Sequence, residues 1–130
     1  MIFIFPIKTP KSTPQSAPLI TPLQLASGTI TRVEMQFPLG VSALANIQLN
    51  LGLWQIFPSN QDSAFATSNE TIGWDEDYDL DQPPYQLVAT SWNNDPNWDH
   101  TITVRIVMTP IDTTQIALAN EIAALLEGNS

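Results

Sequence analysis

The 130-residue chain contains no cysteine, which excludes disulfide bonds and thiolate metal sites. Basic side chains are scarce, because four lysines and arginines stand against thirteen acidic residues for a formal net charge of −9. Nucleic-acid binding depends on basic side chains that neutralise phosphates, so we expect no nucleic-acid partner. An acidic surface favours solubility, a basic partner or a hard cation such as Ca²⁺.

Long hydrophobic runs are also missing. No apolar stretch approaches the ~18 residues of a membrane-spanning helix, and we expect no membrane association. Met1–Ile7 lacks the basic start and cleavage site of a signal peptide and predicts a strand. With 43% hydrophobic residues, a chain of this length can bury a single core. We therefore expect one domain with short appendages.

The first appendage is rich in proline. Prolines recur every four positions, at 6, 10, 14, 18 and 22. Because proline fixes φ and holds the preceding residue extended, residues 1–22 are predicted to form an extended arm. Contacts with its own domain, a path along a sheet edge or a neighbouring subunit could each order it. Pro6, Pro10, Pro14 and Pro18 are therefore candidate partner contacts.

Residues 23–110 alternate apolar and polar side chains in short runs. In the run Thr29–Phe37, Val33, Met35 and Phe37 share one face. Proline, glycine and asparagine separate the runs, which is typical of antiparallel sandwiches and barrels. We predict a mainly β protein, an antiparallel, jelly-roll-like β-sandwich, with strands over Thr29–Phe37, Ala43–Leu51, Leu53–Phe57, Tyr85–Trp92 and Thr101–Met108.

The tail, residues 111–130, predicts a short C-terminal helix. Asp112 can cap its start and Gly128 can end it. Leu118, Ile122 and Leu125 fall on one face at helical spacing. This apolar stripe can pack on its own domain or on another copy of the chain, and its residues are also candidate partner contacts.

Acidic residues concentrate in the stretch Ile72–Tyr85. Asp75, Asp77 and Asp79 alternate there, and their oxygens are weak candidates for a Ca²⁺ site. The EF-hand template fails, because its sixth position, counted from Asp75, is Leu80 rather than glycine. A solvated loop or an edge strand protected by charge also explains the pattern. No other metal or cofactor site is indicated.

Catalytic groups are few. His100 is the only histidine, and it follows a polar turn where bonding to loop backbone is the simplest role. No nucleophile elbow, phosphate loop or zinc-type histidine pair occurs. We therefore expect no enzyme and no catalytic residue. Of the four tryptophans, Trp74 and Trp98 lie in loop-like contexts and are candidates for sugar stacking, whereas Trp54 and Trp92 are expected in the core.

Four sequence blocks carry a resemblance. In this order they resemble a group of small proteins from environmental tailed phages and prophages. The blocks are Ile30–Pro38, Gln55–Asn60 followed by Phe65, Thr71–Leu80 with Pro83-Pro84-Tyr85, and Ser91-Trp92-Asn93 leading to His100–Ile106. The similarity covers roughly residues 20–107. It implies a β-sandwich virion component of the capsid-decoration or minor capsid kind, and it implies no catalytic residue.

Together these observations predict a non-enzymatic structural protein of a phage particle. We expect homo-oligomeric contacts, contacts with other virion proteins such as the major capsid protein, and a location on the virion. The alternative is a carbohydrate- or receptor-binding module that uses Trp74, Trp98 and the acidic stretch, with Ca²⁺ as a candidate ion.

Overall fold

The computed structural model describes residues 1–111, which contain eight β-strands and no helix. The predicted C-terminal helix, with Leu118, Ile122 and Leu125, lies outside the described residues. The strands are β1 (Ile2–Thr9), β2 (Leu19–Gln24), β3 (Gly28–Phe37), β4 (Ala45–Leu51), β5 (Trp54–Phe57), β6 (Glu70–Leu80), β7 (Gln86–Asn93) and β8 (His100–Thr109).

The strands form two antiparallel sheets of four, in the orders β1-β8-β3-β6 and β2-β7-β4-β5. The pairing is nested along the chain: β1 pairs with β8, β2 with β7, β3 with β6 and β4 with β5. Further pairs, β3 with β8 and β4 with β7, complete the sheets. The chain therefore behaves as one long antiparallel hairpin whose turn lies between β4 and β5.

The two inner faces enclose one apolar core, as the alternating pattern predicted. Val33, Met35 and Phe37 point into it from β3, and all are buried. Thr31 lies at a shift in register between β3 and its neighbours. This irregularity keeps both Ile30 and Val33 on the inner face although they are three residues apart. The prediction of a mainly β, sandwich-like fold is confirmed.

An aromatic cluster closes the core between β5 and β6. The rings of Phe57 and Trp74 meet edge to face with centroids 5.3 Å apart, and Phe65 stacks on Trp74 at 5.1 Å. Tyr78 also meets Phe57 edge to face, at 6.0 Å. Such pairs add about 0.5–1.5 kcal/mol beyond area burial. Burial raises the pKa of the Tyr78 hydroxyl, with a smaller contribution from Asp81.

The connections gather at two ends of the sandwich. The long-loop end carries residues 10–18, 38–44, 58–69 and 94–99. The short-loop end carries residues 25–27, 52–53 and 81–85. Gly52, at a φ of 58°, adopts the left-handed conformation that the tight β4–β5 turn requires.

Residues 1–22, predicted to form an extended arm, lie along the sandwich. They supply β1, a connection that bridges Thr13 to Asn93, and most of β2. Both strands lie at sheet edges. The edge path was one of the alternatives that the proline pattern left open.

The proline positions explain why these strands can lie only at edges. Met1 and Met108 exchange two backbone hydrogen bonds, of 2.7 and 2.8 Å. Because bonded and non-bonded pairs alternate in an antiparallel ladder, Pro6 falls at a non-bonded position facing the open edge. The Leu25 amide bonds the Tyr85 carbonyl, and the same alternation places Pro22 toward the open edge of β2. The missing amides therefore cost no ladder hydrogen bond.

Two substitutions in β1 test whether this strand belongs to the core. Ile7 is 2% exposed and Ile4, three residues earlier, is 59% exposed. We expect Ile7→Ala to lower the free energy of unfolding by about 2–5 kcal/mol. Ile4→Ala should change it by about 0.5 kcal/mol or less. Urea titration of both variants measures the difference, and equal small effects would mean that β1 is not packed.

Candidate functional site

A cluster of buried polar side chains lies at the long-loop end. It comprises Thr9, Ser91, Asn93, Asp95 and His100. The Thr9 and Ser91 hydroxyls bond at 2.9 Å and link the two sheets through β1 and β7. No buried polar side-chain atom among the described residues lacks a hydrogen-bond partner. Buried polar groups that are fully paired rigidify their surroundings.

Asp95 is the centre of this cluster. Its Oδ1 accepts hydrogen bonds from the backbone amides of Asn97 at 2.9 Å and Trp98 at 3.3 Å. His100 Nε2 lies 2.8 Å from Asp95 Oδ2, and the ring nitrogen donates because an ionised carboxylate only accepts. The bond to Asn97, followed by that to His100, holds the pKa of Asp95 below its ordinary value. His100 therefore bonds the Asp95 carboxylate, and that carboxylate in turn bonds the amides of the loop. The expected direct bond from His100 to the loop backbone is replaced by this indirect link.

Two loops are joined by these contacts. Asn93 Nδ2 donates to the Thr9 carbonyl at 3.2 Å and to the Trp98 carbonyl at 2.9 Å. The Ser12 amide donates to the Asp95 carbonyl, and the Lys11 amide to Asp99 Oδ1. The β1–β2 connection is therefore bound to the β7–β8 connection through Lys11 and Ser12. The cluster can hold these loops in place, and its contacts account for His100 without a reaction.

The acidic stretch is part of β6, an edge strand, rather than a loop. Asp75, Asp77 and Asp79 are all exposed on its outer face. No group of three or more histidine or acidic side chains within residues 1–111 is arranged to hold a metal. The edge-strand interpretation therefore describes this segment best.

Arg32 anchors the outer face beside this edge. Its Nη1 lies 2.9 Å from Asp75 Oδ1, and its Nε lies 3.3 Å from Glu34 Oε1. Gly73 permits the approach, because a Cβ there would lie 2.7 Å from the guanidinium. Asp79 accepts a hydrogen bond from the Thr29 hydroxyl at 2.7 Å. Asp77 and Asp81 leave the far edge of β6 acidic.

The opposite edge of the same sheet has different chemistry. On β1, Ile2, Ile4, Pro6 and Lys8 alternate with the inward residues and are exposed. Ile2 is 67% exposed. The outer face of this sheet therefore runs from an apolar edge at β1 to an acidic edge at β6. Of the candidate contacts, Pro6 lies on β1, and Pro10, Pro14 and Pro18 lie in the β1–β2 connection.

The tryptophans are arranged differently from the prediction. Trp74 packs in the aromatic cluster and its Nε1 donates to Glu76 Oε1 at 3.0 Å, so it is not a free stacking platform. Trp54, expected in the core, is 77% exposed at the short-loop end. Trp98 is 70% exposed at the long-loop end, and Trp92 is buried as expected. Trp74, Trp98 and the acidic strand therefore do not form one binding site.

No protein-family model matches the chain, and no curated protein is similar to it. Within residues 1–111 the structure has no helix that could cross a lipid bilayer. Its surfaces, edges and clefts are therefore the basis for a functional proposal.

The Asp95 cluster predicts an acid-sensitive stability. The amides of the loop favour the ionised carboxylate, which lowers the pKa of Asp95 in the folded state. A depressed folded pKa contributes stability above the unfolded value of about 3.9, and this contribution is lost as the pH falls through the folded pKa. Asp95→Asn cannot titrate, so we expect a smaller fall in its melting temperature between about pH 5 and pH 2.

The control for this prediction is Asp77→Asn, which removes a carboxylate from the exposed face of β6. Thermal melts followed by circular dichroism at a series of pH values give the comparison. The Asp77→Asn profile should parallel that of the unmodified protein. Parallel profiles for all three proteins would show that Asp95 does not contribute to the acid sensitivity.

Proposed function

We propose that the protein is a non-enzymatic structural component of a phage virion, of the capsid-decoration or minor capsid kind. The observation that carries the proposal is the nested strand order, β1-β8-β3-β6 facing β2-β7-β4-β5. We infer that eight strands in this order form a jelly roll, an architecture used by viral capsid domains. The same architecture also occurs in lectins and cupins, so the fold supports a class of role by analogy.

The resemblance of four sequence blocks to phage proteins supports the same proposal. Three of the blocks, at Ile30–Pro38, Thr71–Leu80 and His100–Ile106, coincide with much of β3, β6 and β8. These strands are neighbours in one sheet. The resemblance therefore follows the framework of a sheet rather than scattered loops, and it suits a protein whose role is to pack in an assembly.

The flank formed by β1 is the proposed contact surface. Its outer face exposes Ile2 and Ile4. Within the part of the chain that the structure describes, no strand pairs with its outer edge, where Pro6 lacks an amide donor. Exposed edges of this kind can accept contacts from another chain. Pro10, Pro14 and Pro18 continue the flank toward the long-loop end. We propose that copies of this chain and the major capsid protein bind here.

The C-terminal segment would belong to the same surface. Thr109, the last residue of β8, lies one position beyond Met108, whose backbone bonds Met1. The end of β8 therefore lies close to the start of β1. Leu118, Ile122 and Leu125 remain candidate contacts because their sequence spacing predicts an apolar stripe. On the virion, this segment would add apolar area to the β1 flank.

A double substitution tests the β1 flank. We expect Ile2→Lys combined with Ile4→Lys to lower occupancy on purified particles at least about tenfold, because burying two lysines in an apolar contact is unfavourable. Leu39→Lys combined with Leu53→Lys adds the same charge at exposed loop positions and should leave occupancy unchanged. Quantitative mass spectrometry of gradient-purified particles measures occupancy, with melting temperatures confirming that both variants fold.

Two outcomes would contradict the proposal. Absence of the unmodified protein from purified particles would exclude a virion role. Equal occupancy of both double variants would show that the β1 flank makes no contact with the particle.

A further inference from the structure

A cleft of about 310 Å³ opens at the short-loop end, between the β4–β5 turn and the β6–β7 connection. Its volume is near the lower limit of the roughly 300–1,000 Å³ typical of ligand sites. A cleft of this size can hold a ligand of one small ring or of a few linked rings. The residues that matter for its chemistry are Leu51, Trp54, Gln82, Pro83, Pro84 and Gln86.

Trp54 forms one wall of the cleft. The tight turn at Gly52 places it at the first position of β5, opposite Leu51. There the indole is 77% exposed, whereas Trp74 and Trp92 are packed. A large aromatic surface left open beside a cavity offers a flat face for stacking.

The other walls combine apolar rings and amides. Pro83 and Pro84 supply rigid apolar surface, and the amides of Gln82 and Gln86 supply hydrogen-bonding groups. Gln24 donates a side-chain hydrogen bond to Gln86 Oε1. Because that bond occupies the carbonyl oxygen, the amide group of Gln86 is oriented with its NH₂ available as a donor. The cleft therefore offers both polar and apolar contacts within a small volume.

The charge of the lining narrows the class of ligand. Among residues 1–111, no charged side chain lines the cleft, although the whole chain carries a net charge of −9. An anionic ligand would find no basic partner, and a cationic one would find no carboxylate in the wall. A ligand that fits is neutral, has one apolar face, and carries several hydroxyls that amides can bond.

The number of aromatic rings in the wall of the cleft narrows the class of ligand further. Grooves that bind proline-rich peptides are lined by aromatic side chains along an extended ligand. Of the described side chains, a single indole lines the cavity, which matches a ligand that presents one ring. We propose that this cleft binds a neutral pyranose sugar, whose apolar face stacks on Trp54 and whose hydroxyls bond Gln82 and Gln86.

This site differs from the one expected from Trp74, Trp98 and the acidic stretch, and it needs no metal ion. It also lies apart from the β1 flank. The cleft belongs to the β4–β5 turn and the loop after β6, whereas β1 is at the opposite edge of its sheet from β6. A copy bound through β1 would therefore keep this cleft accessible. Sugar binding does not depend on the virion role, and each can fail without the other.

The test uses the full chain and two matched tryptophan variants. Saturation-transfer NMR with methyl glucoside, methyl galactoside and methyl mannoside is combined with an array of neutral oligosaccharides. We expect binding of at least one neutral sugar, weakened roughly tenfold by Trp54→Ala. Trp98→Ala removes an equally exposed indole at the other end and should leave affinity unchanged. Gln86→Ala should weaken binding with Trp54 intact.

Because Trp54 is exposed, Trp54→Ala should keep the melting temperature of the unmodified protein, which separates lost binding from unfolding. No binding to any sugar in either assay would overturn the proposal. Binding that survives Trp54→Ala, or that Trp98→Ala weakens equally, would place the site elsewhere. Binding of a proline-rich peptide to the cleft without any sugar binding would assign it to a different class of ligand.

Discussion

The pairing of the first strand with the last is the constraint on which the rest of the structure depends. β1 and β8 are joined over eight residue pairs, from Ile2–Val107 to Thr9–His100. Closing a loop of this length has an entropic cost that grows only slowly with length, and burial of Ile7 and the inner face of β8 offsets it. Once β1 is in place, the β1–β2 connection meets the β7–β8 connection, and Asn93 and Asp95 can bind both.

The nested order also leaves two unlike edges on one sheet. β6 carries its carboxylates outward, and like charges on an edge oppose pairing with another copy of the same edge. β1 instead exposes isoleucines and has a single proline in its open ladder. Association through β1 would therefore be favoured over association through β6. Because of this asymmetry, the proposed virion contact would form through β1 rather than through β6. The Trp54 cleft would then stay accessible.

The strands with regular alternation of apolar and polar residues were predicted from the sequence. Strands in which proline or charged residues obscure that alternation were missed. β3 and β8 were found because Val33 and Ile106 sit in regular apolar rows. β2 was hidden by its proline, since only the three-dimensional edge position makes Pro22 tolerable. Trp74 is packed because Phe65, from a loop that no local pattern links to it, stacks on its ring. Trp54 is exposed on β5, a strand at a sheet edge. The bond between His100 and Asp95 likewise depends on the path of the turn.

Amide hydrogen exchange along β1 tests this account most directly. Because bonded and non-bonded positions alternate, the amides of Phe3, Phe5 and Ile7 should be protected by β8. Those of Ile4 and Lys8 face the open edge and should exchange orders of magnitude faster in dilute solution. An alternating pattern would establish β1 as a strand of its own sandwich. Uniformly rapid exchange from Ile2 to Thr9 would contradict it.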